Sequence, residues 1–185
     1  MNYYLLYSKF EEDEGSFSVQ EPWDSVLNFY TSQEKMFNSK PYITVDRCYA
    51  ETGMSDYLKI GVGMLASNRV QKIFFDNGFL GAQFIPVTVE NDGLYHSYAF
   101  VNAIANYDLL EPEASEASRF NRRLGVYRNV YEEKIDIEKF KSTSITHDCF
   151  TLSSYKTSYY VNENVKDALE AAGVTGVEFI PMEFA

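Results

Sequence analysis

The spacing of apolar and polar positions changes character several times along the chain, and each change marks an element. Tyr3-Tyr4-Leu5-Leu6-Tyr7 opens as a short strand. Residues 24–37 carry a weak helical pattern, with Trp23 just before it, and Ser39-Lys40-Pro41 breaks the chain. Tyr42-Ile43-Thr44-Val45 then reads as a second short strand. Further on, Val70, Ile73 and Phe74 recur at helical spacing, Ser67 stands where its hydroxyl caps the first exposed amides, and Asn77-Gly78 ends the helix. Phe84 to Val89 reads as a strand, and Asn91-Asp92-Gly93 turns the chain into another from Tyr95 to Ala103.

The carboxyl end follows the same plan. Asn162 caps a helix from Glu163 to Ala172 with Val165, Ala168, Leu169 and Ala172 on one face, and Gly173 sits at the left-handed position after it. Gly176-Val177-Glu178-Phe179-Ile180-Pro181-Met182 follows. A shift of 95 residues lays Val70 on Val165, Gly78 on Gly173, Gly81 on Gly176 and Phe84-Ile85-Pro86 on Phe179-Ile180-Pro181. The pattern predicts an α+β fold over one domain, 1–185, with a mixed or antiparallel sheet and a helix–turn–strand unit present twice.

Charge narrows the choice of partner. Among 185 residues, Asp and Glu number 27 against 16 Lys and Arg, a formal net charge of -11. Such a field repels a phosphate backbone, so no nucleic-acid partner is expected and a basic protein surface fits better. Apolar residues at 45% are enough to build a core. Cys48 and Cys149 read as reduced thiols, and neither they nor the two histidines form a metal-ligand cluster, so no metal or cofactor is expected. The amino terminus lacks the basic and apolar regions of a signal peptide, and no apolar run reaches the roughly 18 residues that span a membrane, so a cytoplasmic location is expected.

Several stretches offer chemistry, each beside a plainer reading. Gly61-Val62-Gly63-Met64-Leu65-Ala66 matches a minimal dinucleotide fingerprint, but its helix starts late and no βαβ pattern surrounds it, so a loop is the better reading. His147 and Cys149 would share one strand face, which suits a thiol–imidazole dyad or simply a buried cysteine. His96 reads as a satisfied strand histidine. Arg119, Arg122, Arg123 and Arg128, four of the six arginines, either grip an anion or pair with the flanking glutamates, and the local charge alternation favours pairing. Acidic runs at Glu11, Glu12, Asp13 and Glu14 and at Glu111, Glu113 and Glu116 are a solvated face or a surface that steers a basic partner. Trp23, Tyr155 and Tyr159 are the aromatic anchors such an interface would use.

Three segments resemble the immunity protein 11 family of bacterial polymorphic toxin systems. The first is Ser55-Asp56-Tyr57-Leu58 with Leu65-Ala66-Ser67-Asn68-Arg69-Val70, leading to Phe84-Ile85-Pro86-Val87. The second is Tyr98-Ala99-Phe100-Val101-Asn102 with Asp108 and Ser115, and the third runs from Tyr160 through Asn162 and Gly173 to Phe179. The resemblance covers about residues 40–185. Asn162 stands where the family pattern has Ser, and the first forty residues match only at Tyr3-Tyr4-Leu5-Leu6. It implies a non-enzymatic, cytoplasmic antitoxin that binds and blocks a cognate toxin, with no catalytic residues. A small enzyme using Cys149 with His147 is the alternative, and a self-associating module, for instance a homodimer, is a third reading.

Overall fold

The strand Leu94–Ala103 buries Tyr98 and Phe100 in one apolar cluster and Val101 and Ala103 in another, so the sheet that carries it has to be covered on both faces. The computed structural model describes residues 2–9, 17–19, 34, 42–45, 53–60 and 63–185. Among these, the strands up to the first helix are β1 (Tyr3–Ser8), β2 (Phe17–Val19), β3 (Tyr42–Val45), β4 (Tyr57–Ile60) and β5 (Gly63–Ser67). Helix α1 (Asn68–Asn77) leads into β6 (Ala82–Asn91) and β7 (Leu94–Ala103), followed by β8 (Asn106–Tyr107), β9 (Ser118–Asn121), β10 (Val126–Asn129) and β11 (Lys134–Ile135). The last part holds α2 (Ile137–Ser142), β12 (Cys149–Leu152), β13 (Tyr155–Asn162), α3 (Glu163–Ala171), β14 (Val177–Pro181) and β15 (Glu183–Phe184).

The expected α+β class holds, but the strands form two main sheets rather than one. One has the order β2-β3-β6-β7-β5-β4 and the other β14-β1-β13-β12-β8, with one parallel pairing in each, β3 on β6 and β12 on β8. Two-stranded ladders β9–β10 and β11–β15 flank them. Among the described residues, the two helices longer than two turns turn their apolar stripes inward. Val70 and Phe74 of α1 and Val165 and Leu169 of α3 join Leu6, Val101, Tyr159 and Val161 in a single central cluster. The outer face of the six-stranded sheet buries Ile43, Leu58, Leu65 and Ile85, and that of the five-stranded sheet buries Leu109, Ile135, Phe150 and Tyr160. Each such fully buried side chain contributes about 1.5–3 kcal/mol.

The centre is held by two aspartates that each tie a helix start to a distant turn. The Asp56 carboxylate accepts from Ser67 Oγ at 2.7 Å and from the Thr175 N–H at 3.1 Å. The Asp148 carboxylate accepts from Asn162 Nδ2 at 2.6 Å and from the Leu80 N–H at 2.7 Å. Ser67 and Asn162 are the N-caps of α1 and α3, accepting from Val70 and Val165 as their sequence positions predict. Backbone bonds follow the same route: Tyr57 N–H donates to Thr175 O at 3.1 Å and Cys149 N–H to Leu80 O at 3.0 Å. These contacts force two glycines against opposing carbonyls. A Cβ on Gly81 (φ 104°) would lie 1.9 Å from Cys149 O, and one on Gly176 (φ 78°) 2.2 Å from Tyr57 O.

Two expectations need correction or setting aside. The glycine-rich stretch, expected as a loop rather than a dinucleotide fingerprint, is instead strand from Gly63 on: β4 and β5 are antiparallel, Ile60 pairs with Gly63, Met64 to Ser67 continue the strand, and the helix starts only at Asn68. Of the helix expected over 24–37, all residues but Glu34 lie outside the described ones.

Candidate partner-binding site

The arginine-rich segment folds into a hairpin. Asn121 Oδ1 accepts the N–H groups of Arg123 at 3.1 Å and Leu124 at 3.2 Å, and Gly125 takes φ 67°, which together turn β9 into β10. The rings of Phe120 and Tyr127 meet across the ladder at 4.8 Å. Arg119, Arg122, Arg123 and Arg128 are all exposed, and among the described residues none has an ion pair or a side-chain hydrogen bond. The expected pairing with flanking glutamates therefore fails. Four of those acids are engaged elsewhere: Glu111 accepts the Glu113 N–H, Glu132 pairs with Lys134, Glu138 with Lys141, and Glu133 accepts two hydroxyls. Arg119 adopts φ 57° and falls opposite Arg128, between the pairs Tyr127↔Phe120 and Asn129↔Ser118.

Beneath the hairpin lies a groove of about 620 Å³. It opens where β13 leaves its neighbours. The β1–β13 ladder ends at Leu6↔Tyr159, and the β12–β13 register slips from Thr151↔Tyr159 to Leu152↔Tyr155. Lys156, Thr157 and Ser158 thus fall outside both registers, and they line the groove together with Tyr7, Arg128 and Tyr131. Glu133 anchors this bulge, accepting from Ser158 Oγ at 2.5 Å and Tyr160 OH at 2.8 Å. Burial pushes the Glu133 carboxyl above its usual range, and the two hydroxyls oppose that shift only in part. Burial also lowers the Lys156 ammonium.

Glu133 makes folding pH-dependent. Its folded pKa lies above the unfolded value of about 4.3, so its contribution is fully present below that value and is lost as pH rises through the folded pKa. Urea unfolding of Glu133→Gln at pH 4 and pH 7 should show the variant gaining on the wild type towards pH 7. An identical difference at both values would refute this.

Residues 8–183, nearly the whole chain, match the model of the immunity protein family Imm11. The chain belongs to the Imm11 immunity protein family. A search of curated proteins gave no match. The described residues among those expected at the interface differ in exposure. Glu113 and Glu116 are exposed on a turn, with Glu111 half-buried beside them. Tyr155 lines the groove. Tyr159 is 4% exposed and its hydroxyl donates to Val101 O at 2.8 Å, so it serves the core and cannot reach a partner. Glu11, Glu12, Asp13, Glu14 and Trp23 lie outside the described residues, as does Cys48. Residues with an exposed apolar surface that the sequence reading passed over are Phe120 and Tyr131 at the hairpin (50% and 72% exposed), Phe75 on α1 (88%) and Leu80 just after it (59%). Their hydrophobicity is visible in the sequence, but their exposure is not.

The thiol–imidazole dyad has no support in this Imm11 chain. Cys149 is 2% exposed, and burial, with the Asp148 charge adding to it, pushes its thiol up to about 12. His147 Nδ1 lies 2.8 Å from the Tyr107 hydroxyl. His96 is likewise not the satisfied histidine expected, since its buried Nε2 has no hydrogen-bond partner among the described residues. Iodoacetamide at pH 8 should leave Cys149 unlabelled in the native protein and label it fully in denaturant, as read by peptide mapping. Rapid native labelling would restore the dyad.

Proposed function

We propose that the protein neutralises a cognate bacterial toxin by binding it and covering its active surface, with no catalysis of its own. The observation that carries this is the family match over residues 8–183. A net charge of -11 supports a toxin with a basic surface drawn in by long-range attraction, with Glu111, Glu113 and Glu116 as part of the acidic face. The acidic run 11–14, Trp23 and Tyr155 remain in this proposed interface. The inert Cys149 supports a mode of action by occlusion. We place the protein in the cytoplasm, where such a toxin would be intercepted; no helix among the described residues is long and apolar enough to cross a membrane.

We further read the runs β5–α1–β6 and β13–α3–β14 as two copies of one unit within a single domain. The registers support it: Ser67↔Tyr98 and Phe84↔Val101 recur 95 positions on as Asn162↔Tyr3 and Phe179↔Leu6, with β1 standing in for β7.

The test is rescue. The gene adjacent to this one is induced in a sensitive bacterial host with and without this chain, and viable counts are compared. Rescue that persists in the double variant His147→Ala, Cys149→Ala supports immunity by binding. A toxic neighbour without rescue overturns the proposal for that pair.

A further inference from the structure

We propose that the apolar groove at the carboxyl end of α1, rimmed by Phe75 and Leu80, seats an apolar side chain of the toxin; this rests on the reading that a toxin is bound. The groove holds about 620 Å³. Its floor is preformed, since the buried Phe74 ring meets Phe79 edge-on at 5.6 Å and Phe84 at 5.2 Å. Its rim is equally fixed. Leu80 N–H donates to the Asp148 carboxylate at 2.7 Å, and Leu80 O accepts from the N–H groups of Asp148 and Cys149, each at 3.0 Å. An exposed apolar side chain on so firmly held a backbone costs a partner little ordering.

The fold itself does not ask for these two apolar residues. The end of α3 has the same backbone arrangement as the end of α1. Gly78 and Gly173 take φ 66° and 63°, Phe79 N–H donates to Phe74 O at 3.0 Å, and Val174 N–H donates to Leu169 O at 3.1 Å. Two residues past each glycine the chain is tied to an aspartate, Leu80 N–H to Asp148 and Thr175 N–H to Asp56. In these matching frames Phe75 answers to Glu170 and Leu80 to Thr175, all four exposed. Glu170 pairs with Lys166, and Thr175 Oγ1 accepts the Asp56 N–H. The polar pair thus satisfies the same geometry, and the apolar pair at α1 leaves surface for contact with another molecule.

Charge and area select the occupant. Lys72 and Asp76, the charged residues that line the groove, pair with each other at 2.6 Å, so the site is a neutral patch in a chain of net charge -11. A second copy would bring the same negative charge and be repelled. Phe75 and Leu80 also expose only about 300 Å² between them, well short of the roughly 800 Å² per partner that a stable interface buries. One apolar anchor within a larger polar contact fits both facts, with opposite charge drawing a basic toxin in and the anchored side chain holding it.

The experiment measures binding of the toxin domain encoded by the adjacent gene to the full-length protein at low and high salt. It compares wild type with Phe75→Gln and with Phe75→Gln/Leu80→Thr, neither of which changes the charge, each checked by urea unfolding. The proposal expects unchanged unfolding midpoints, about fivefold weaker binding by the single variant and at least about tenfold weaker binding by the double. These ratios should persist at high salt, because apolar contact is not screened. Unchanged binding by both variants, with wild type still rescuing, overturns the groove and leaves the immunity reading intact. Absence of both binding and rescue by wild type overturns both. Sedimentation of wild type alone over a hundredfold concentration range should show a monomer, and a dimer abolished by the double variant would overturn the groove's assignment in favour of a second copy.

Discussion

Gly81→Ala and Gly176→Ala are each expected to destabilise the fold by about 3–5 kcal/mol, against a total of about 5–15 kcal/mol for an ordinary domain. The cost has two parts. Both glycines have positive φ, which costs any other residue about 1 kcal/mol. The larger part is steric, since the new methyl would overlap Cys149 O or Tyr57 O, and neither carbonyl can swing away. Cys149 N–H donates to Leu80 O and Tyr57 N–H to Thr175 O, while Gly81 O and Gly176 O accept from Ile104 and Lys9. The two chains at each crossing are therefore pinned on both sides of the contact. Gly78→Ala provides the control: its φ is 66°, but nothing lies within 4 Å of its missing Cβ, so only about 1 kcal/mol is expected. Urea unfolding of the three variants checks the order. A Gly81→Ala protein as stable as Gly78→Ala would show that the crossing is looser than described.

Asp148→Ala is expected to cost about 2–4 kcal/mol, and Asp56→Ala about as much. Each removes an acceptor that serves a helix cap and a distant backbone N–H, 119 positions away for Asp56 and 68 for Asp148, and leaves the part-buried Ser67 or Asn162 donor without that partner. The asparagine variants should separate the two sites. At position 148 an amide that still accepts from Leu80 N–H must point its NH2 at Asn162 Nδ2, donor against donor, and Asn162 cannot flip without giving up its bond from Val165 N–H at 3.0 Å. At position 56 the Ser67 hydroxyl can rotate and accept instead. Asp148→Asn should therefore be nearly as unstable as Asp148→Ala, and Asp56→Asn clearly milder than Asp56→Ala. Arg69 adds a third tie to the same region, pairing with Asp56 at 3.3 Å while donating to Ala172 O at the end of α3. Equal effects of both asparagine variants would contradict the donor assignment at Asn162.

Much of the local structure was legible because its causes are local. Ser67 and Asn162 cap helices with an oxygen three residues from its partner amide, and Gly78 and Gly173 take the left-handed φ that ends the helical turn. Asp92-Gly93, both at positive φ, closes the β6–β7 hairpin as the short turn requires. The family segments around Asp56, Phe84 and Asn162 were equally visible, and they fall on the caps and central strands that hold the core. The groove was not visible, because it depends on where two registers stop.

The sequence by itself determined α1 and α3 with their ends, the main hairpin and the acidic balance of the chain, since each is set within a few residues or by composition, whereas α2 went unread. Tertiary structure decided which groups are available for chemistry or binding. Tyr155 and Tyr159 look alike in sequence, yet one lines a groove and the other is sealed against Val101 by β7. Cys149 and His147 look like a reactive pair until burial raises the thiol and Tyr107 takes up the imidazole. The arginines of the β9–β10 hairpin look neutralised by neighbouring glutamates, yet Glu111, Glu132, Glu133 and Glu138 are engaged with other groups. Burial and pairing are contests among residues far apart in the chain, and a local pattern carries no record of which contact wins.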